Sequence, residues 1–484
     1  MFASATKHIA ATALLALLGG CALAPGYTRP EMPVSDRLPA VPGLAEKSGS
    51  AAAGSVVGAG LGWRDFFIDP QLQTIIRTAL ANNRDLRVSA LNIAGYQAQY
   101  RIQRAALFPS ITGSGSGTKQ RTYSGGNYVT AETYAASVGI AAYELDFFGR
   151  VRSLKDQALE QYLAMEETHR SARISLVAEV AGAYLTWLAD RELLAITEDT
   201  KQTEEESYQL IDQRAQEGMA TQLDLAQART SLETAKANLA LYQRQVAQDI
   251  NNLTLLAGVS LPNFDQAGKR LNEQMALAAP PSHLASAVLL QRPDIQAAEH
   301  TLKGANAKIG AARAAFFPSI SLTANAGKIS GDLSDLFDHN SGYWLFSPSI
   351  SLPIFTAGRL RAELDVAEVS KDIAVANYES AIQTAFREVA DALVAGETYD
   401  RQLVAQKANL AANQEYYSLA RERYQQGLDS FLTLLDAQRS LYSARQNCLS
   451  LQLARLLNRI NLYKVLGGGW KEQSVTVDEK SRPL

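Results

Sequence analysis

The sequence predicts a mainly α-helical protein that also carries membrane-type β-hairpins and consists of two tandem structural repeats. Three observations support this fold class: an internal duplication at a constant offset, two segments in which apolar and polar residues alternate, and long helical segments without proline. Because these features follow one another in the same order in both halves, they indicate one body made of two similar halves.

The duplication has one constant offset. RAALFPSI at residues 104–111 recurs as RAAFFPSI at residues 313–320, and Gly149-Arg150 recurs at the same offset as Gly358-Arg359. Further pairs with this offset are Arg214 and Arg423, Gly218 and Gly427, Leu225 and Leu434, Ala228 and Ala437, Ser231 and Ser440, and Leu232 and Leu441. A shared offset without gaps excludes chance similarity and predicts a tandem duplication of one unit.

The composition excludes several classes of protein. A formal net charge of −3 with 20% charged residues gives no basic excess of the kind that nucleic-acid binding requires. Only two cysteines, Cys21 and Cys448, are present, so no disulfide framework is indicated. Hydrophobic residues make up 47% of the 484 residues, which is typical of a globular protein.

Residues 1–20 have the pattern of a signal peptide. An apolar run over residues 9–18 is too short to span a bilayer as a helix. The run leads into Leu-Gly-Gly-Cys at residues 18–21, which resembles a bacterial lipobox and implies cleavage before Cys21 and lipidation of that residue. The alternative is an ordinary signal peptide with an incidental cysteine. Ala22, in place of aspartate, is compatible with delivery to the outer membrane.

Two segments predict membrane strands. No stretch after the signal peptide reaches 18 consecutive apolar residues, so any membrane-spanning part is expected to consist of strands. The periodicity changes from 3.6 to 2 over about 109–146 and again over about 316–354, which predicts a β-hairpin at each place. Each arm can supply the about 9–11 residues that a tilted membrane strand requires.

Each predicted hairpin of strands is followed by a predicted helical hairpin, at about 150–256 and about 359–466. The first reverses at Gly218 and the second at Gly427. The helix over residues 152–216 would be about 98 Å long if continuous. The segment after Gly218 carries a heptad series that predicts supercoiling against neighbouring helices, formed by Leu225, Leu232, Leu239, Val246 and Leu253.

Composition sets the remaining boundaries. Residues 21–62 are rich in proline, glycine and alanine and predict a lipidated linker. The first repeat covers residues 63–262, and near its start Asp69-Pro70 has the residues preferred at a helix N-cap and first turn. A connector at 263–282 leads to the second repeat at 283–466. The polar tail at 467–484 follows three glycines and is expected to be disordered.

The strand count predicts self-assembly. Four membrane strands cannot close a barrel, and an open edge in lipid leaves several kcal/mol unsatisfied per exposed backbone group. Two copies would give eight strands, which already fill their lumen with side chains. Three copies give twelve, the smallest multiple expected to leave an aqueous pore. The sequence therefore predicts a conduit shared between copies of the chain.

Several segments resemble the outer-membrane factors of tripartite efflux pumps, the TolC-like efflux lipoproteins of the OprM/NodT branch. They are the two octets, WRDFFIDPQLQTIIRTALANNRDL at 63–86, RPDIQAAEHTL at 292–302 and RYQQGLDSFLTLLDAQRSL at 423–441. The resemblance implies a lipid-anchored homotrimer in the outer membrane of a Gram-negative bacterium. Its twelve-stranded β-barrel would continue as a periplasmic α-helical barrel that meets a periplasmic adaptor (membrane-fusion protein) and an inner-membrane transporter.

The resemblance also implies roles for the helix tips. In this family the glycine and apolar residue at each tip contact the adaptor, and the matching residues are Gly218, Met219, Gly427 and Leu428. Glycines that serve only the turn are the alternative.

Just inside the tips, family members of the OprM type close the tunnel with a ring of side chains. The matching positions are Tyr424, Leu432, Asp436 and Arg439, and Asp224 matches an acidic position that holds the closed state in TolC. Asp436 and Arg439 share a helix face and could instead be a solvated pair. This chain has Asp429 and Thr433 where the TolC branch carries a basic and an acidic gate residue, so that network is not expected to transfer whole.

No chemistry beyond passive transport is indicated. The five histidines are scattered, and no catalytic or metal-binding motif is present, so we expect neither an enzyme nor a cofactor apart from the lipid at Cys21. Cys448 lies in the heptad pattern and is interpreted as a small buried hydrophobic residue. Glu204-Glu205-Glu206 is interpreted as a solvated helix face.

These observations favour the outer-membrane channel of a tripartite multidrug efflux system, of RND type by resemblance, that acts as a passive exit duct. An outer-membrane duct for metal-ion efflux or type I secretion is the alternative, although five methionines and five histidines give no support for a metal. A structural coiled-coil envelope lipoprotein is a more distant alternative, because it does not explain two hairpins with alternating polarity.

Overall fold

The computed structural model describes residues 23–37, 61–261, 271 and 285–474. The predicted signal peptide, Cys21, most of the linker and connector, and the last ten residues of the tail lie outside these ranges. The predicted domain boundaries there stay predictions.

The described elements form two series in the same order. The first comprises α1 (Trp63–Phe66), α2 (Pro70–Asn82), α3 (Arg84–Ala105), β1 (Ile111–Ser124), β2 (Asn127–Leu145), α4 (Arg150–Gln216) and α5 (Gln222–Ala257). The second comprises a short 3-10 helix (Ser286–Gln291), α6 (Pro293–Ala314), β3 (Ser319–Ser330), β4 (Gly342–Ser351), α7 (Arg359–Gln425) and α8 (Phe431–Val465). The prediction of a mainly helical chain with two repeats is confirmed.

The chain divides into two compact units, which are described separately. The strand unit comprises residues 1–31, 92–166 and 297–380, and it contains all four strands. The helical unit comprises residues 32–91, 167–296 and 381–484, and it contains both helix tips. None of the described helices is long and apolar enough to cross a membrane.

The strand unit is built on one antiparallel sheet in the order β1-β2-β3-β4. The turn between β1 and β2 has positive φ at both Gly125 and Gly126, the geometry of a tight hairpin turn. The strands contain 14, 19, 12 and 10 residues, so all four reach the length predicted for a membrane strand. A β-bulge in β2 between Ile140 and Tyr143 shifts the register against β3.

The sheet passes into the long helices through a recurring glycine. Gly149 and Gly358, which the sequence duplication pairs, both have positive φ, at 74° and 85°. In the first repeat the carboxylate of Asp146 accepts hydrogen bonds from the backbone amides of Val151 (3.1 Å) and Arg152 (2.8 Å) at the start of α4. Glycine is needed here because side chains disfavour left-handed backbone.

The helical unit has a core of aromatic and aliphatic side chains from α1, α2, α4, α5 and α8. Phe66 stacks on Tyr463 with ring centroids 3.8 Å apart, and Trp63 and Trp187 are both almost fully buried. As predicted, Asp69 caps α2 by accepting a hydrogen bond from the Gln71 amide at 2.8 Å, and Pro70 follows it. This core lies away from the tips and packs together α4, α5 and α8, which lead to the tips.

The expectation of a disordered tail is wrong for residues 467–474. The amides of Trp63 and Arg64 donate hydrogen bonds to the carbonyls of Lys471 (3.0 Å) and Glu472 (3.1 Å). The Trp470 ring also packs on the Arg170 guanidinium at 5.2 Å. The glycines that suggested disorder instead turn the chain back, because Gly467 and Gly469 adopt positive φ.

The heptad pattern matches burial in part. Leu232 and Leu253 in α5 are buried, whereas Leu225, Leu239 and Val246 are only partly buried in the isolated chain. Among the alanines between them, Ala228 and Ala235 are also buried. Cys448 is buried in α8, and burial raises the pKa of its thiol, which agrees with its interpretation as a small hydrophobic residue.

Candidate functional site

The tips of the two helical hairpins have the same backbone geometry. Gly218 and Gly427 adopt φ values of 75° and 73°. In each tip the amide of the next residue donates a hydrogen bond back to the helix, from Met219 to the Arg214 carbonyl (2.7 Å) and from Leu428 to the Arg423 carbonyl (2.9 Å). These are the bonds that end a helix at a left-handed glycine, so the glycines close both tips.

Both tips expose apolar side chains. Met219 and Leu428 are 68% and 62% exposed, and Leu223 and Leu432 at the starts of α5 and α8 are 66% and 56% exposed. The duplication places Leu223 and Leu432 at equivalent positions, so each tip presents the same pair of apolar groups. Such groups are suited to contact with another protein, and the predicted adaptor contact stays a prediction.

The two tips differ in their polar residues. In the first, Thr221 and Asp224 form a capping box: the Thr221 hydroxyl accepts from the Asp224 amide at 3.1 Å, and the Asp224 carboxylate accepts from the Thr221 amide at 3.1 Å. In the second, Ser430 caps α8, and Thr433 replaces the aspartate. Asp224 therefore has a local structural role in this structure, and its predicted role in a gate is not tested.

The second tip also carries an ion pair that the first tip lacks. The Arg423 guanidinium donates to both carboxylate oxygens of Asp429, at 2.7 and 3.0 Å. This hydrogen-bonded pair lowers the pKa of Asp429 and raises that of Arg423. The equivalent position in the first tip is Ala220, so Arg214 is free to contact a different helix.

Arg214 contacts Tyr424, one of the predicted gate residues. Its Nη1 donates a hydrogen bond to the Tyr424 hydroxyl at 3.0 Å, and its guanidinium lies 5.3 Å from the centre of the same ring. The Tyr424 ring also packs near Phe431, with centroids 5.9 Å apart. These contacts join α4, α7 and α8 above a small core of Ile211, Ala228, Phe431, Leu434 and Leu435.

Asp436 and Arg439 have separate hydrogen-bond partners. Asp436 accepts a long hydrogen bond from the Tyr416 hydroxyl at 3.3 Å, and Arg439 donates to the Ser231 hydroxyl at 3.0 Å. Both side chains lie on exposed positions of α8, as does Leu432. The structure thus brings Tyr424, Leu432, Asp436 and Arg439 to one end of the helical hairpin, without an Asp436–Arg439 bond between them.

The interpretation of the glutamate run at residues 204–206 as a solvated helix face is wrong for Glu204. Glu205 and Glu206 are partly or fully exposed, but Glu204 is only 4% exposed, and its Oε2 has no hydrogen-bond partner. Burial raises the pKa of Glu204 to about 7, and the nearby positive charge of Arg439 opposes part of this rise. The sequence did contain a signal, because Thr197, Glu204 and Ile211 are spaced by seven residues and all three are buried.

The described ranges contain no candidate metal-binding site. No group of three or more His, Cys, Asp or Glu side chains there is placed to hold a metal ion. His169 lies 3.2 Å from the Ser89 hydroxyl, and His300 lies 2.7 Å from a carboxylate oxygen of Glu160, so both have protein partners.

The buried carboxyl of Glu204 makes stability depend on pH. Because its folded-state pKa of about 7 lies above the ordinary value of 4.5, its contribution is favourable at low pH and is lost as pH rises from 4.5 to 7. We expect Glu204→Gln to raise the thermal midpoint at pH 8 by about 2 °C or more and to change it little at pH 5. The exposed Glu206→Gln is the control and should match the wild type. A lower midpoint for Glu204→Gln at pH 8 would contradict the burial of an uncompensated charge.

Comparison with known proteins supports the family resemblance. The family model described as outer membrane efflux protein matches residues 75–259 and again residues 284–468, once in each repeat. The antibiotic efflux pump outer membrane protein ArpC of Pseudomonas putida is 51% identical over 98% of this chain and 98% of its own length. The cation efflux system protein CusC of Escherichia coli is 43% identical over 94% of this chain and 97% of its own length.

Solved structures agree with the sequence matches. The open state of the Neisseria gonorrhoeae MtrE outer membrane channel has a TM-score of 0.85 and 40% identity, and the alignment covers 94% of this chain and all of that one. The predicted resemblance is thereby confirmed. The chain belongs to the outer membrane efflux protein family, has the TolC-like fold of its channels, and is the outer-membrane channel component of an efflux system.

Proposed function

We propose that this protein is the passive exit duct of a tripartite multidrug efflux system. In this proposal a homotrimer receives substrates from a periplasmic adaptor and an RND-type inner-membrane transporter and releases them outside the cell. The observation that carries the proposal is the open four-stranded sheet, since a sheet with two free edges in the outer membrane must be completed by further copies.

The sheet supports the proposed number of copies. Its free edges are β1 and β4, and the backbone groups along these edges need partners in lipid. Large side chains on β4 are exposed in the single chain, with Trp344, Phe346 and Ile350 at 79%, 59% and 70%. Two copies would give a filled eight-stranded barrel, whereas three give twelve strands and space for a channel.

The tips supply the contact with the adaptor in this proposal. Met219 and Leu428 are the most exposed apolar groups beside the two tip glycines, and rigid left-handed turns hold them in place. An apolar group held on a rigid turn loses little conformational freedom when it is bound. Gly218 and Gly427 are therefore proposed to position the contact, and Met219 and Leu428 to make it.

The gate is proposed to lie just inside these tips. Tyr424, Leu432, Asp436 and Arg439 are gathered at the start of α8 and the end of α7, and Asp224 caps the neighbouring α5. In the closed state, Tyr424 is proposed to be held by Arg214 of α4, and the exposed Asp436 and Arg439 are proposed to face other copies.

The duct is proposed to be passive, with no catalytic step and no cofactor other than the covalent lipid at Cys21. The lipid proposal rests on the lipobox-like residues 18–21 and on the docking of the residues that follow. In the strand unit, Arg29 donates hydrogen bonds to Glu299 of α6 at 2.8 and 3.0 Å, and Asn306 donates to the Pro25 carbonyl at 2.7 Å. These bonds hold the chain only a few residues from Cys21.

The substrate class is proposed from the printed names of relatives. ArpC is named for antibiotic efflux and is 51% identical, whereas CusC is named for cation efflux and is 43% identical. Five methionines in the whole chain are few for a duct that selects soft metal ions. Antibiotics and similar organic compounds are therefore the proposed substrates, with metal ions or a secreted polypeptide as the alternatives.

Deletion of the gene tests the substrate class. The deletion strain should become hypersensitive to antibiotics, because the pump would lose its exit through the outer membrane, and minimum inhibitory concentrations measure this. A plasmid copy of the gene should restore resistance. Sensitivity to transition-metal cations without sensitivity to antibiotics would replace the multidrug proposal with the metal-ion alternative.

Extraction in detergent tests the assembly and the lipid together. Light scattering on the purified particle should report three chains, because three sheets are needed to close a channel. Mass spectrometry of the denatured chain should show a mature protein that begins at an acylated Cys21. A monodisperse monomer would contradict the trimer, and an unmodified Cys21 would contradict the lipid anchor.

The double variant Asp436→Ala with Arg439→Ala tests the gate. Its single-channel conductance in planar bilayers should exceed that of the wild type, because two charged groups of the proposed ring are removed. Asp400→Ala with Arg455→Ala is the matched control, since it also removes one acidic and one basic group, in an ion pair between α7 and α8 farther from the tips. An unchanged conductance in the first variant would remove both residues from the gate.

A further inference from the structure

A cavity of about 170 Å³ lies between α4, α7 and α8, close to the tips of the helical unit. It is bordered by Arg214 and Tyr424, which were described above, and it extends inward as far as Gln438. A passive duct does not require a cavity at this place, and the proposed gate makes no use of one. Its lining therefore calls for a separate explanation.

The inner wall of the cavity is apolar. Ile211, Phe431 and Leu434 are 1%, 6% and 7% exposed, and all three line the space. The Tyr417 and Tyr424 rings add aromatic surface from α7. A cavity of about 150 Å³ can hold one benzene ring, so a volume of about 170 Å³ has room for a single aromatic ring.

A buried amide lies in the wall of the same space. The side chain of Gln438 lines the cavity and is 7% exposed, and its Nε2 has no hydrogen-bond acceptor within the chain. A buried donor without an acceptor is costly, so such a group indicates a missing partner. A ligand with an acceptor oxygen would supply this partner.

The charges around the opening favour an anion. Two guanidinium groups, from Arg214 and Arg421, line the cavity. The carboxylate of Glu206 also lines it, and this carboxylate accepts a hydrogen bond from the Gln202 amide at 3.2 Å. Two positive charges against one negative charge leave a net positive site, and Arg421 is on an exposed position from which it can turn toward a ligand.

We propose that this cavity is a binding site for a small monocyclic aromatic carboxylate. The ring packs against Ile211, Phe431 and Leu434, and the carboxylate accepts hydrogen bonds from the Gln438 amide and the arginines at the rim. The site lies among α4, α7 and α8 of one chain beside the proposed gate, and its occupancy does not depend on which substrates the duct carries.

Binding of benzoate to the full-length protein in detergent tests the proposal. Saturation-transfer NMR should detect benzoate on the protein, with weaker signals from acetate, which lacks the ring, and from benzylamine, which has the opposite charge. Gln438→Leu should weaken benzoate binding about tenfold, since a lost hydrogen bond to a charged group has this order of effect. Ile211→Trp should abolish binding because the larger side chain fills the cavity.

The control variant is Gln426→Leu, which makes the same chemical change at an exposed position outside the cavity. It should bind benzoate as the wild type does, and all variants should retain the wild-type particle size and thermal midpoint. Absence of benzoate binding to the wild type would overturn the proposal. Equal binding by wild type and Gln438→Leu, or equal binding of acetate and benzoate, would also overturn it. None of these outcomes bears on antibiotic resistance, so failure here is distinct from failure of the proposed duct.

Discussion

The free edges of the four-stranded sheet are the constraint on which the rest of this structure depends. Within a bilayer, a backbone amide or carbonyl finds no water, so each edge group needs a partner from another strand. The chain supplies only four strands, in the order β1-β2-β3-β4. In the proposed assembly, strand β1 of one copy pairs with strand β4 of the next copy. The same symmetry brings together the long helices that follow each hairpin.

The two tips share one backbone conformation but carry different polar side chains. Both reversals use a left-handed glycine and an exposed apolar neighbour. Around this shared frame, Asp224 closes a capping box in the first tip, whereas Asp429 holds Arg423 in the second. Because Ala220 replaces the aspartate in the first tip, Arg214 is available to bind Tyr424. The duplication thus conserved the turn and let the polar contacts of the two tips diverge.

Two buried polar atoms on the helices that lead to the tips have no protein partner. Glu204 has an unpartnered buried oxygen, and Gln438 has an unpartnered buried nitrogen. Both lie on the helices that contribute to the contacts joining α4 to α7 and α8, beside the proposed gate. Incomplete hydrogen bonding weakens such contacts. A region of this kind is suited to changing its packing.

The sequence by itself determined the repeat, the order of strands and helices, the helix cap at Asp69 and the tip glycines at 218 and 427. These features depend on local periodicity and on backbone conformations that few residues adopt, so they can be read without knowledge of packing. The tertiary structure decided that Glu204 is buried, that Arg439 binds Ser231, and that the chain up to Ser474 packs beside Trp63. The physical reason is that a long helix has several polar faces, and only its neighbours determine which of them is removed from water.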